Sequence, residues 1–394
     1  MSAAEIFVVG AARAPIGGFG GSLKDLPLAK LATHAVAAAL QRAGVATETV
    51  GQLIMGHVVP GEPRDAYLSR VAAIEAGLPK EVTAYNVNRL CGSGLQAIVC
   101  AVQGLALGDA EVAVGAGAES MSRGAYVLPS ARWGARMGDV QALDYVVGAL
   151  HDPFQTIHMG VTAENVAAQC GISREQQDAL ALESQRRAAR AIAEGRFKSQ
   201  IAPVEIVGRK GTVVFDTDEH VRADTTLEAL AKMRPAFKKD GSVTAGNASG
   251  INDGAAALVL ATGAAVKAQG LKPLARVVSY GHGGVEPATM GLGPVPATRM
   301  ALARAGLKVQ DLAVIESNEA FAAQALAVAQ QLDFDPERLN PNGSGISLGH
   351  PIGATGAILA TKLVYELQRT GGRYGLATMC IGGGQGIAMV FERV

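Results

Sequence analysis

The sequence predicts an α/β protein made of two similar halves with a further region inserted in the first. Three observations predict it. At 394 residues the chain is too long for one ordinary core. It is 49% apolar and only 4% aromatic, with 49 glycines, the composition of closely packed elements built from small side chains. It also repeats itself: ALQRAGV at 39–45 returns as ALARAGL at 301–307, and the segment that begins at Cys91 returns as one that begins at His350. The offsets, 262 and 259 residues, nearly agree, and two matches in register mark a duplication where one short string would not.

Taken in order, the start MSAAEIFVVGAARAPIGG reads as a short strand and a loop, without the basic, apolar and cleavable parts of a secretory leader. The strings at 39–45 and 301–307 each end an amphipathic helix on a glycine stop. Each is followed by a buried-strand pattern, GQLIMGHV from Gly51 and LAVIESNEA from Leu312. From Cys91 and from His350 the chain then runs through a glycine-containing elbow into an apolar helix, a glycine turn and a buried strand. Such alternation implies right-handed crossovers and sheets covered by helices.

Between roughly 120 and 250 the pattern changes. A long charged helix is predicted over 173–197, with Ser173 as N-cap and Gln176 at the capping-box position. The same region holds the only tryptophan, Trp133, and irregular Gly/Pro/Asp segments, and reads as an inserted domain that supplies a binding wall. AGNASGINDGAAALVLAT, from Ala245, reads as a loop and then a strand returning to the first half. The expected units are 1–119 with 251–270, the insert 120–250, and 271–394.

Composition excludes several classes. Basic and acidic residues balance at 35 each with no long basic run, so nucleic acid is not the expected partner. The longest uncharged apolar stretch, 254–266, falls short of the ~20 residues that span a bilayer. Four cysteines in so long a chain form no disulfide framework and indicate a reducing cytoplasm. None has metal-ligand spacing, so no zinc or other metal is expected. GAGAES is no dinucleotide fingerprint and no P-loop string is present.

The chemistry-bearing residues are Cys91 in VNRLCGSGLQAI, His350 in NGSGISLGHPIGATGAIL and Cys380 in TMCIGGGQGIAMVF. Small neighbours let backbone approach a ligand and leave N–H groups free to hold a developing oxyanion, Gly382 among them. Cys91 opens an apolar helix, whose N-terminus favours a thiolate, and an imidazole nearby would favour it further. A second thiol can move protons, since its reference pKa of about 8.5 lies near neutrality. Together these are the parts of acyl transfer with carbon–carbon bond chemistry. The bland readings are an inert core thiol for either cysteine, a loop residue for His350, and an ordinary turn for Asn318 in SNEAF.

The strings VNRLCGSG, GAGAESMS, TAGNASGINDGAAA, NEAFAAQ, NPNGSGISLGHPIGATG and CIGGGQGIA resemble the thiolases, in detail the bacterial acetyl-CoA acetyltransferases or β-ketothiolases, in the family's order and along the whole chain. The resemblance implies a thiolase-like five-layer α/β/α/β/α fold and a homotetramer, a dimer of dimers, with SMSRGAYVLPSARWGARMGD as the tetramerisation loop. It implies that Cys91 is acylated, that His350 activates it, and that Cys380 is the acid/base that takes the α-proton of acetyl-CoA. Asn318 would hold a catalytic water, and the N–H groups of Gly382 and Cys91 would form an oxyanion hole. For coenzyme A the matching positions are His158, Met159, Phe237, Ser249, Ala320 and Phe321, with Arg222 near the diphosphate; Ala229 and Leu230 depart from the Ser-Met common in relatives.

The implied reaction is a ping-pong Claisen condensation of acetyl-CoA with a short-chain acyl-CoA, or thiolysis of a 3-oxoacyl-CoA in reverse, with coenzyme A thioesters as substrates and no separate cofactor. Two alternatives stand beside it. A decarboxylating ketoacyl synthase would pair the cysteine with histidines or His-Asn where this chain has Cys380. A catalytically inactive lipid-binding relative would not need Cys91, His350, Cys380 and Asn318 together. Cys100 and Cys170 carry no assigned role.

Overall fold

The computed structural model describes residues 5–208 and 211–394. The first four residues of the unit 1–119, and residues 209–210 of the insert, lie outside the described residues. The main strands in chain order are β1 (Ile6–Arg13), β2 (Val50–Gly56), β3 (Thr83–Val87), β4 (Val112–Ser120), β5 (Asn252–Thr262), β6 (Ala275–Gly284), β7 (Leu312–Ser317), β8 (Tyr374–Ile381) and β9 (Gln385–Arg393). They form one hydrogen-bonded path, β7-β8-β9-β6-β1-β5-β4-β2-β3. The path is thinnest between β1 and β6, where only Phe7 faces Arg276 and Val8 faces Ala275. It is therefore two sheets joined at an edge.

Pairing repeats across that joint. In the first sheet β2 runs parallel to β4, β4 antiparallel to β5, and β5 antiparallel to β1. In the second, β7 runs parallel to β8, β8 antiparallel to β9, and β9 antiparallel to β6. Strands such as β4 and β5 are buried along their whole length, which requires cover on both faces and explains their unbroken runs of Ala, Val, Gly and Leu.

The helices that supply this cover are α1 (Leu28–Ala43), α2 (Ser93–Leu107), α3 (Met159–Cys170), α4 (Arg174–Ala193), α5 (Pro294–Ala305), α6 (Ala322–Leu332) and α7 (Ile352–Thr370). α2 and α7 pack on one another between the sheets, sharing a core with Leu258 and Leu260 of β5 and with Met379 and Met389 of β8 and β9. α1 covers the outer face of the first sheet, and α5 and α6 that of the second. This gives five layers. α1 and α5 both stop at a left-handed glycine, Gly44 (φ 63°) and Gly306 (φ 67°), as the repeated strings predict.

Two expectations are corrected. The longest uncharged apolar window is not 254–266 but Leu90–Leu107, with a mean hydropathy of 1.6. It covers α2 and the elbow before it, and its apolarity comes from being clamped between two sheets. The charged helix has the predicted capping box of Ser173 and Gln176 but ends at Ala193, because Gly195 turns left-handed (φ 69°) before Phe197 is reached.

Glycines decide how α2 and α7 cross. A Cβ on Gly94 would lie 2.8 Å from Ala357 N, and one on Gly356 would collide with Leu95 N. Backbone thus rests on backbone, and the N-terminal turns of the two helices, each carrying a reactive residue, come together.

Candidate active site

Cys91 lies on the elbow between β3 and α2. Leu90 before it adopts a left-handed conformation (φ 45°), uncommon for a branched side chain. Ser93 holds this elbow: its hydroxyl accepts from Arg89 N at 2.8 Å and donates to Leu90 O at 2.6 Å. The N–H groups of Gly382 and of Cys91 itself reach the Cys91 sulfur, which couples the elbow to the β8–β9 turn. In that turn Gly383 and Gly384 have φ of 80° and 84°, where side chains are strained.

Electrostatics at the sulfur differ from the sequence expectation. Burial pushes the Cys91 thiol up to about 11, and the two N–H groups only partly oppose it, while Glu119 adds to the rise. The resting residue is therefore a thiol, because desolvation outweighs the helix N-terminus. Cys380, fully buried near the end of β8, is raised further, by burial first and by Cys91 second. Cys91 acting on Cys380 places the two thiols within electrostatic reach.

His350 is buried at the entry to α7, and burial lowers its pKa to about 4, so the ring is neutral. Its Nδ1 lies 2.6 Å from Thr355 Oγ1, whose hydroxyl also donates to Pro351 O at 2.9 Å. Its Nε2 lies 3.4 Å from the Nδ2 amide of Asn318. Both contacts are satisfied by a ring protonated on Nδ1, whose Nε2 lone pair faces the Asn318 amide. The backbone is fixed as well, since His350 N donates to Asn252 Oδ1 at 2.9 Å. Asn318 itself follows β7, where its N–H donates to Thr378 O at 3.0 Å; its Oδ1 is buried without a partner among the described residues.

These groups adjoin a cavity of about 320 Å³ lined by Cys91, His350, His158, Met159, Phe237, Ser249, Ala320 and Phe321, all predicted site residues. The Phe237 ring stacks on His158 at 4.7 Å and meets Phe321 edge-on at 6.0 Å. Ser249 N donates to Ala320 O at 2.9 Å, tying the insert's last loop to the second half. Cys380 is not in the lining but shares a buried apolar cluster with Met159, Ala320 and Phe321, and Gly382 faces Leu90 and Met159. Arg222 is not in this cavity. It borders a neighbouring open one with Phe19 and His220, and Ile251 lines both.

Sequence reasoning missed several participants. Met121, Leu150, Met290 and Ile352 add apolar wall to the cavity, and nothing in their local sequence distinguishes them from core. Asn252, 98 residues from His350, could not be paired with it before folding. Thr355 was within reach of reasoning, because it lies on the first turn of the helix that follows His350. The remaining cysteines stay apart: Cys100 accepts from Gln96 Nε2 at 3.4 Å on the central helix, and Cys170 is half-buried at the end of α3.

A thiol and a neutral imidazole that line one cavity, backbone N–H groups at the sulfur and a second buried thiol are a set of groups suited to acyl transfer. The thiolase N-terminal domain model matches residues 6–264 and the thiolase C-terminal domain model residues 271–393. The beta-ketothiolase BktB of Cupriavidus necator is 62% identical over 99% of both chains. An acetyl-CoA acetyltransferase of Shinella zoogloeoides is 48% identical over 98% of both. The crystal structure of human mitochondrial 3-ketoacyl-CoA thiolase in complex with CoA superposes with a TM-score of 0.96, at 45% identity over 99% of this chain and 98% of that one. The chain belongs to the thiolase family.

Proposed function

We propose that this thiolase joins acetyl-CoA to a short-chain acyl-CoA, and cleaves 3-oxoacyl-CoA with coenzyme A in reverse, through an acyl-Cys91 intermediate. The single observation that carries the reading is that Cys91 and His350 line one cavity while the Gly382 N–H reaches the Cys91 sulfur. As the sulfur attacks the thioester carbonyl, its proton passes to His350 Nε2. The carbonyl π electrons move to oxygen, where Gly382 and Cys91 N–H groups stabilise them, and collapse expels the CoA thiolate, which Cys380 protonates.

Acetyl-CoA then takes the vacated site. Cys380 removes its α-proton, and the carbanion attacks the acyl group, forming the carbon–carbon bond and breaking the bond to Cys91. Asn318 supports the enolate: with its Nδ2 toward His350, its buried Oδ1 is left for a water donor. Every proton and electron pair in the cycle belongs to the thioesters or to these side chains.

The stacked His158, Phe237 and Phe321 suit the apolar pantetheine arm, and Arg222 in the neighbouring cavity suits a phosphate. We assign the insert 120–250 to coenzyme binding and tetramer formation, supported by the exposure of Trp133 (84%) and Met137 (98%) on its surface. Four unpaired cysteines suit a reducing cytoplasm. Thiolysis of acetoacetyl-CoA, followed at its enolate absorbance, tests the reading. Loss of a measurable rate in the wild type would refute it, and a series of longer 3-oxoacyl-CoA substrates would set the chain-length preference.

A further inference from the structure

The duplication that built the site also built its mirror image. β2 and β4 pair Gly56 with Gly117, while β7 and β8 pair Ser317 with Thr378. Aligning the two pairings sets His57 at the place of Asn318 and Glu119 at the place of Cys380, each 261 residues apart in sequence. Cys91 and His350, 259 residues apart, are the third such couple. Of one constellation, Cys380 acts on Cys91 before α2 and Asn318 meets His350 before α7; of the second, Glu119 with His57, Glu119 reaches the first turn of α7.

The second constellation is not open to a substrate. Glu119 and His57 are buried, and neither lines the cavity. Glu119 Oε2 accepts from Gly353 N, in the first turn of α7, at 2.8 Å. Its Oε1 accepts from Val59 N at 3.0 Å and lies 3.1 Å from His57 Nδ1. The backbone around it leaves no slack, since a Cβ on Gly353 would meet both Glu119 Oε2 and His57 Cα. A carboxylate thus stands at the helix N-terminus, where an anion is stabilised, three residues from His350.

We infer that Glu119, oriented by His57, is a positioning pair: the duplicated counterpart of Cys380 and Asn318, turned from chemistry to holding the first turn of α7, and with it His350, against Cys91. The inference rests on the proposed thiolase chemistry only for its kinetic readout. Groups facing the Cys91 sulfur are Cys380 from β8, the His350 ring and Glu119 from β4. His57 faces Glu119, the Ala118 carbonyl and, across the loop after β2, Asp65; these outweigh its burial and hold its pKa above the ordinary value.

The test uses the full-length enzyme with Glu119→Gln and His57→Gln, each normalised to the number of Cys91 thiols that iodoacetamide titrates in the native state. Both variants are expected to keep KM for acetoacetyl-CoA within about threefold and to lose about tenfold to a hundredfold in kcat per active thiol, the scale of a catalytic group misplaced by a fraction of an ångström. In Glu119→Gln the pH midpoint of Cys91 alkylation moves down, because a negative charge near the sulfur is gone. Unchanged kcat per titrated thiol in either folded variant overturns the inference, as does an unmoved alkylation midpoint in Glu119→Gln. Failure of both variants to fold also overturns it, in favour of a purely structural role. A wild type inactive toward acetoacetyl-CoA would refute the proposed reaction, while the alkylation midpoints would still decide the placement of Glu119.

Discussion

Thr355→Val removes the atom that sets the tautomer of the His350 imidazole while keeping the side chain's shape. In the native site Thr355 Oγ1 lies 2.6 Å from His350 Nδ1 in a buried position. Valine leaves a buried Nδ1–H without an acceptor, which costs about 1–3 kcal/mol. The ring avoids that cost by moving its proton to Nε2, the nitrogen proposed to take the Cys91 proton. The reactive tautomer is then disfavoured by up to the same amount, so acylation slows by about 5- to 150-fold. Stopped-flow acylation by acetyl-CoA and steady-state thiolysis of acetoacetyl-CoA should both show the loss in kcat, with KM little changed. Thr355→Ser, which restores the hydroxyl, should recover most of it. A valine variant within twofold of wild type would refute the assignment of Nε2 as the base.

The remaining predictions address other links in the argument. Cys91→Ser should nearly abolish thiolysis, whereas Cys380→Ser should still become acetylated by acetyl-CoA, as seen by intact mass, yet fail to condense; near-normal turnover in both would remove the assigned roles. For pH, the His350 pKa of about 4 in the fold lies below the unfolded value of about 6.5, so the unfolded chain binds more protons between these limits. Its contribution is complete above pH ~6.5 and falls away toward pH ~4, by about 3 kcal/mol at most. Urea midpoints at pH 7 and pH 5 should converge more in His350→Asn than in the wild type. Gly356→Ala should cost about 1–3 kcal/mol or more in urea unfolding, because the added methyl strikes Leu95 N where α2 crosses α7; unchanged stability would mean the crossing is looser than its backbone contacts indicate.

Much of the fold is legible in the sequence because its signals are local or repeated. Glycine stops after 39–43 and 301–305, the capping box at Ser173, and the buried runs of β4 and β5 are all short-range chemistry. The misjudged points differ in kind. The apolar window Leu90–Leu107 acquires its meaning only from the sheets on either side, and the end of α4 depended on one glycine's handedness. At the site, the resemblance named eight residues that line one cavity, but Asn252, Leu150, Met290 and Ile352 carry no local mark of their proximity.

By itself the sequence determined the reactive inventory, two thiols and an imidazole set among small residues, and the twofold plan that repeats at a constant offset. Side-chain chemistry and the spacing of apolar residues are properties of the chain, so they survive without a fold. Tertiary structure decided the protonation states and the division of labour between the two copies. Burial makes Cys91 a thiol and His350 a neutral imidazole, and the α2–α7 crossing gives Cys91 and His350 to the cavity while enclosing Glu119 and His57. Solvation and contact depend on which surfaces meet, and that is settled only when the halves pack.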